Sequence, residues 1–173
     1  MLLMTKQAVE ALTTFHTQIE DLAASLTPAE WLRPSACAGW LVRDVVAHLG
    51  AGARAMIDPI ALPDERLPLP ADREREHDIH VDIRRSWSVD DVVAEFATYG
   101  RQRLEVLPGL QDEPMASNEI TLPGLGTYPM HAAANGLAFD FYCHLHHDLL
   151  APAGPLDRPH PEVTQDELHP VVQ

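Results

Sequence analysis

Apolar residues recur at three- and four-residue spacing in four stretches of the chain, separated by polar or proline-rich segments. In the first, from Thr5 to about Leu26, Val9, Leu12, Ile19, Leu22 and Leu26 share one face, with Phe15 or His16 completing it. His16 falls at the edge of that stripe, where solvation is expected. Thr27-Pro28-Ala29-Glu30 then has the marks of a capped turn, since Thr caps, Pro suits the first helical position and Glu closes the capping box. Trp31 and Leu32 are expected to plug the end of a bundle. The second stretch opens at Gly39 and Trp40 and runs to about Met56, with Leu41, Val45, His48, Ala51 and Ala55 facing inward. The third starts at the capping sequence Ser88-Val89-Asp90-Asp91; Val92, Val93, Phe96, Tyr99, Leu104 and Leu107 mark its inner face until Pro108-Gly109 ends it. The fourth runs from Tyr128 to about Leu150, with Pro129 in its first turn and Met130, Ala133, Leu137 and Phe141 on one arc.

The intervening segments complete an all-α architecture. Pro59, Pro63, Pro68 and Pro70, followed by the mixed charges of Asp72 to Asp78, predict a crossover linker from Asp58 to Trp87 with room for one helical turn. Ile120 to Tyr128, β-leaning around Gly124-x-Gly126, predicts a small hairpin before the last helix; the glycines alone are no phosphate loop. Pro152, Pro155, Pro159 and Pro161 stop the last helix. The expected organisation is a four-helix bundle over residues 1–155 and a Pro-rich acidic tail over 156–173, with no internal repeat.

Two of these helices direct ionisable groups toward the core. Asp140 and His144, one turn apart, fall within the arc of Met130, Ala133, Leu137 and Phe141, and His48 lies on the inner face of the second helix. An unpaired carboxylate or imidazole buried there would cost several kcal/mol or neutralise itself by a pKa shift. Asp140 and His144 are therefore either a hydrogen-bonded polar pair or ligands of one ion, and His48 is either a ligand or a core histidine bonded to Asp44. Three N/O ligands from two helices is the ligand number of a catalytic rather than a closed structural site. His77, His80, His160 and His169 lie in charged or Pro-rich segments without an inward stripe and are not expected to be ligands.

The run Cys37-Ala38-Gly39-Trp40-Leu41-Val42-Arg43-Asp44-Val45-Val46-Ala47-His48-Leu49 resembles the Cys-x-Gly-Trp-x-Val-Arg-Asp-x-x-x-His-Leu signature of the DinB-like superfamily, in its mycothiol-dependent maleylpyruvate isomerase branch. Phe139 to Pro152 resembles that family's late helix. The likeness spans roughly residues 5–155 and implies a DinB-like four-helix bundle with a divalent metal, zinc by preference, held by His48, Asp140 and His144. The isomerases usually carry Glu where this chain has Asp140. The shorter acid must draw the ion nearer its helix or bind through water; the rival reading makes Asp140 a residue that only orients a histidine, with a water or His147, one turn beyond His144, completing the ligand set.

Composition narrows the partners. A formal net charge of −14 argues against nucleic acid and anionic membranes, which call for Lys and Arg clusters. No apolar run is long enough to span a bilayer, so cytoplasmic residence is the default expectation. Cys37 and Cys143 form no disulfide framework and read as reduced thiols. Arg101 and Arg103, near the end of the third helix, either bind a substrate carboxylate or favour the helix C-terminus as solvated charges.

The resemblance implies a low-molecular-weight thiol of the mycothiol type, activated at the metal and attacking a small electrophile, for conjugation or for cis–trans isomerisation. Water activation for hydrolysis is the outcome if no thiol binds. Full-length isomerases of the family carry a further C-terminal domain, for which this chain is too short, so maleylpyruvate isomerisation itself is not assumed. The competing expectation is a non-catalytic DinB-like bundle that forms a homodimer or binds a small ligand.

Overall fold

The computed structural model describes residues 2–60, 73–122 and 126–171. Its helices are α1 (Leu2–Ser25), the single turn α2 (Pro28–Trp31), α3 (Val42–Ile57), α4 (Arg73–Arg84), α5 (Val89–Val106), α6 (Ala133–Cys143) and the short α7 (Gln165–Leu168). A 3₁₀ turn, Leu107–Gln111, extends α5, and a wide π-turn, His144–Leu149, extends α6. The architecture is all-α, with one antiparallel hairpin pairing β1 (Glu119–Leu122) to β2 (Gly126–Pro129). Pro63, Pro68, Pro70 and Gly124, invoked above as breakers and turn residue, lie outside the described residues.

The bundle is built from α1, α3, α5 and α6, whose fully buried side chains include Leu12, Phe15, Ile19, Val45, Leu49, Phe96 and Phe141. α3 is its central member, buried on most of its circumference from Val42 to Ala53. It can approach α5 closely because residue 50 is glycine: a Cβ there would stand 3.1 Å from the backbone nitrogen of Phe96. The sequence places the capped starts well. Thr27 and Glu30 close a capping box at α2, and Ser88 and Asp91 do the same at α5, satisfying backbone N–H groups that have no intrahelical partner.

Several expectations need correction. Residues 73–84 of the supposed linker form a full helix, α4, which packs on α3. Its low hydrophobicity concealed it; besides the fully buried Val81, polar contacts hold it: Arg84 and Glu95 form a buried ion pair, Arg54 approaches Glu95 at 3.2 Å, and Arg43 donates to the carbonyls of Arg84 and Trp87. His16 is not solvated but 1% exposed, stacked on Phe96 with ring centroids 4.6 Å apart and seated against Gly100, where any Cβ would collide with it. Trp31 is buried as expected, while Leu32 is 58% exposed and plugs nothing. α3 begins at Val42 rather than Gly39, and Ala55 at its end is exposed. Pro129 ends a strand, and the last helix begins only at Ala133.

The tail packs on the bundle. Leu156 is fully buried, Arg158 bridges to Glu30 at 2.7 Å, and Asn135 donates to the Pro170 carbonyl at 2.9 Å.

Candidate metal centre

The face that α6 buries is Ala134, Ala138 and Phe141, continued by Leu145 in the π-turn. It is rotated from the arc of Met130, Ala133 and Leu137, which are only half-buried. Asp140 and His144 therefore flank the core stripe rather than lie in its middle, and they look across to α3. His48, 8% exposed, comes from that helix to meet them.

Nε2 of His48 stands 3.6 Å from Oδ2 of Asp140, and Nε2 of His144 stands 3.4 Å from Oδ1 of the same carboxylate. One ligand atom from each of the three residues lies within 4.8 Å of the others. These separations exceed an ordinary N–H···O hydrogen bond of about 2.7–3.2 Å. They match the spacing of about 3.4 Å between donors that share a tetrahedral ion at Zn–N and Zn–O lengths of about 2.0–2.2 Å. Two imidazoles and one carboxylate also suit a borderline divalent ion such as zinc, and leave a coordination position open. The residues present fit a metal.

The second nitrogen of His144 has its own partners. Nδ1 lies 2.8 Å from Oδ2 of Asp148, whose other oxygen is 2.8 Å from Nδ1 of His147, and 3.8 Å from Sγ of Cys37. Cys37, His144 and Asp148 thus form a second cluster of potential ligands. It is not a nucleophile triad, because thiol and carboxylate face the same ring nitrogen whereas a triad needs one on each. Asp140-x-x-x-His144-x-x-x-Asp148 carries acids at one-turn spacing on both sides of the histidine. That spacing is the signal that would have found Asp148.

The signature loop supplies Cys37 and Trp40. Gly39 adopts φ 81°, a left-handed conformation that costs glycine little, and the Ser35 hydroxyl accepts from the Cys37 amide at 3.2 Å. The backbone N–H of Ala36 donates to the carbonyl of Asp148 at 3.1 Å, tying this loop to the π-turn. Trp40 lies 5.1 Å from the ring of His48, and its Nε1 donates to Asp78 of α4 at 2.9 Å. Arg85 donates both to the Gly39 carbonyl at 2.8 Å and to the buried Asp44. Asp44, through its other contact with the Leu41 amide, caps α3 rather than binding His48. α4 in turn sets His77 edge-on against His48, with centroids 4.6 Å apart. His77, expected in a solvated loop, is half-buried on a helix beside the site; it does not join the cluster of three ligand atoms.

Charge is unevenly held. Burial opposes ionisation of Asp140, but the imidazoles of His144 and His48 outweigh it and keep this carboxyl well below the usual range. Burial likewise disfavours charge on His144, yet Asp140, Asp148 and Cys37 prevail and push it up to about 12. Asp148 is held down to about 2 against its own burial by His144, His147 and Cys37. Both carboxylates thus favour a charged His144, and a dication held at Nε2 would compete with the proton there.

The two arginines part company. Arg101 is 67% exposed in its side chain and bridges to Glu20 at 2.7 Å. Arg103 is 2% exposed, with its guanidinium 4.9 Å over the Phe141 ring. Burial lowers its pKa to about 10, opposed by Asp140, which leaves it a cation at neutral pH.

The model of the mycothiol maleylpyruvate isomerase N-terminal domain matches residues 12–149, from the first bundle helix to the end of the π-turn. The chain belongs to this family. In the crystal structure of a mutant of the mycothiol-dependent maleylpyruvate isomerase, 81% of this chain superposes with a TM-score of 0.61 at 15% identity, a likeness of fold. The chain spans 58% of that enzyme's length. No curated protein sequence matches this chain. Among the described residues no helix is long and apolar enough to cross a membrane.

Proposed function

We propose that this protein is a divalent-metal enzyme of the mycothiol maleylpyruvate isomerase family that activates a low-molecular-weight thiol of the mycothiol type against a small electrophile. The observation that carries the reading is the convergence of His48, Asp140 and His144 at separations suited to one ion. Zinc is the ion that two imidazoles and a carboxylate favour. A dication bound there supplies a Lewis acid, which lowers the pKa of a thiol or water at its open position toward neutrality.

The chain's own residues do the rest. His48 and His144 present Nε2, Asp140 contributes the compensating negative charge, and α4 walls the site through His77 and the Trp40–Asp78 contact. Trp40, half-buried beside His48 and 6.4 Å from His144, offers an aromatic surface against which a thiol's apolar portion packs. The reaction class is thiol conjugation, or cis–trans isomerisation by addition and elimination. Cytoplasmic residence and a homodimer accompany this proposal.

Metal analysis of protein purified without added metal tests the reading, together with calorimetric titration of N-acetylcysteine into zinc-loaded and zinc-free protein. Near-stoichiometric metal, and thiol binding only when zinc is present, is the expected result. A folded protein that neither carries nor takes up a divalent ion would instead make it a non-catalytic bundle that dimerises or binds a small ligand.

A further inference from the structure

Besides the three residues that converge on the candidate ion, the structure holds a second set of groups around the far side of His144. We propose that Asp148 is a positioning residue for the metal centre: by accepting a hydrogen bond from Nδ1–H of His144 it fixes the imidazole tautomer that leaves Nε2 free to bind an ion. This inference rests on the metal-site reading above.

Three observations support it. The Nδ1–Oδ2 separation of 2.8 Å is that of a charge-assisted hydrogen bond, while the Nε2–Asp140 separation on the other side of the ring is 3.4 Å. The two nitrogens of one imidazole thus differ in their surroundings: Nδ1 has a carboxylate at hydrogen-bond distance, while the carboxylate facing Nε2 stands farther off. Asp148 is itself held: its Oδ1 is 2.8 Å from Nδ1 of His147, and its backbone carbonyl accepts from the Ala36 amide. Its side chain is only 13% exposed, although His147 beside it is 68% exposed. Finally, the π-turn over His144–Leu149 places this carboxylate, and such wide turns concentrate at functional sites because they re-aim side chains. A neutral imidazole exchanges its proton between two nitrogens, and only the tautomer protonated at Nδ1 offers Nε2 as a ligand.

Cys37 stands 3.8 Å from the same Nδ1, and the rival reading of the outer group is a second, thiolate-bearing metal site. The hydrogen-bond distance to Asp148 favours a proton there instead, since donors sharing an ion stand about 3.4 Å apart at the bond lengths of such sites.

The test uses the full chain with zinc as the probe, comparing wild type, Asp148→Asn, Asp148→Ala, His147→Ala and Cys37→Ser. Loss of an orienting carboxylate costs about 10–100-fold in metal affinity, and that loss is expected for Asp148→Ala. Asp148→Asn, which keeps the volume if the alanine variant fails to fold, should lose affinity in the same direction. His147→Ala and Cys37→Ser should lose less than Asp148→Ala. Nitrogen-15 NMR of labelled histidine supplies a readout that a merely structural role would not move. His144 in zinc-loaded wild type should show its proton on Nδ1 coupled to a strong hydrogen bond, and in either Asp148 variant that signal should lose its downfield shift. Zinc affinity and an Nδ1 proton signal unchanged in both Asp148 variants would overturn the inference while leaving the metal site standing. A second equivalent of zinc, lost with Cys37→Ser, would also overturn it, by making the outer group a ligand set. Wild-type protein that binds no zinc would mean that the metal reading itself has failed.

Discussion

Nε2 of His48 and Oδ2 of Asp140 stand 3.6 Å apart, although they come from different helices and far-separated parts of the chain. A hydrogen-bonded polar pair would close that gap to about 3 Å; an ion between them would not. The difference decides what substitution should do.

His48→Ala and His144→Ala should each abolish tight zinc binding while the bundle stays folded. Replacing a core histidine that makes only a local contact should cost about 1–3 kcal/mol. Metal occupancy after gel filtration and a circular-dichroism melt separate the two effects. Undiminished occupancy in both variants would remove these residues from the site.

Asp140 is the carboxylate among the three candidate ligands. Asp140→Ala should weaken zinc well beyond the ~10–100-fold expected of an orienting residue, and Asp140→Glu should retain the metal at some cost in packing. His147 faces Asp148 rather than the cluster, so His147→Ala should keep binding within that range. Parallel titrations giving the opposite order would make His147 the third ligand.

Replacing His80, His160 and His169 together should leave occupancy unchanged. His146 takes His160 as its partner at 3.1 Å, away from the cluster. His77 touches the ring of His48, so His77→Ala should alter affinity, but by less than the ~10-fold lower bound for an orienting partner. Loss of more than half the metal in the triple variant would show a ligand outside the cluster.

His16 makes stability fall in acid. Burial lowers its pKa below 6.5, partly offset by Glu20 and the Phe96 backbone. A histidine depressed in the folded state must be charged in the unfolded state first, so its contribution is present above about 6.5 and lost as pH falls below it. In urea unfolding at pH 7 and pH 5, His16→Gln should lose less stability across that interval than wild type. Equal losses would mean that His16 is not held neutral.

Glu95 neutralises Arg84, which is 1% exposed, and also faces Arg54. Glu95→Ala leaves a buried guanidinium without its carboxylate and should cost about 3–5 kcal/mol in urea unfolding. A cost below 1 kcal/mol would show that α4 is anchored by other contacts, such as those from Arg43.

The amino-acid sequence by itself determined the bundle. Local periodicity and capping mark α1, α3 and α5, and the hairpin follows from β-leaning residues around a glycine turn, because these depend on neighbours within a few positions. The resemblance of two short stretches to known signatures named His48, Asp140 and His144 together. Other features depended on relations that no local pattern encodes. α4 is too polar to show an apolar stripe and is held by Arg84, Arg43 and Asp78, whose partners lie on other elements. His16 and Leu32 exchanged their expected environments because helix rotation is set by the packing partner: Gly100 leaves a recess for an imidazole, and Leu32 stays 58% exposed. The same rotation buried Ala134 and Ala138 in place of Met130 and Ala133, and so turned Asp140 out of the middle of the core to face His48. The outer shell was half visible, in the one-turn spacing of His144 and Asp148. Only the tertiary structure brought Cys37 and Trp40 to that histidine, since a backbone hydrogen bond from Ala36 to Asp148 closes a loop that sequence separation conceals.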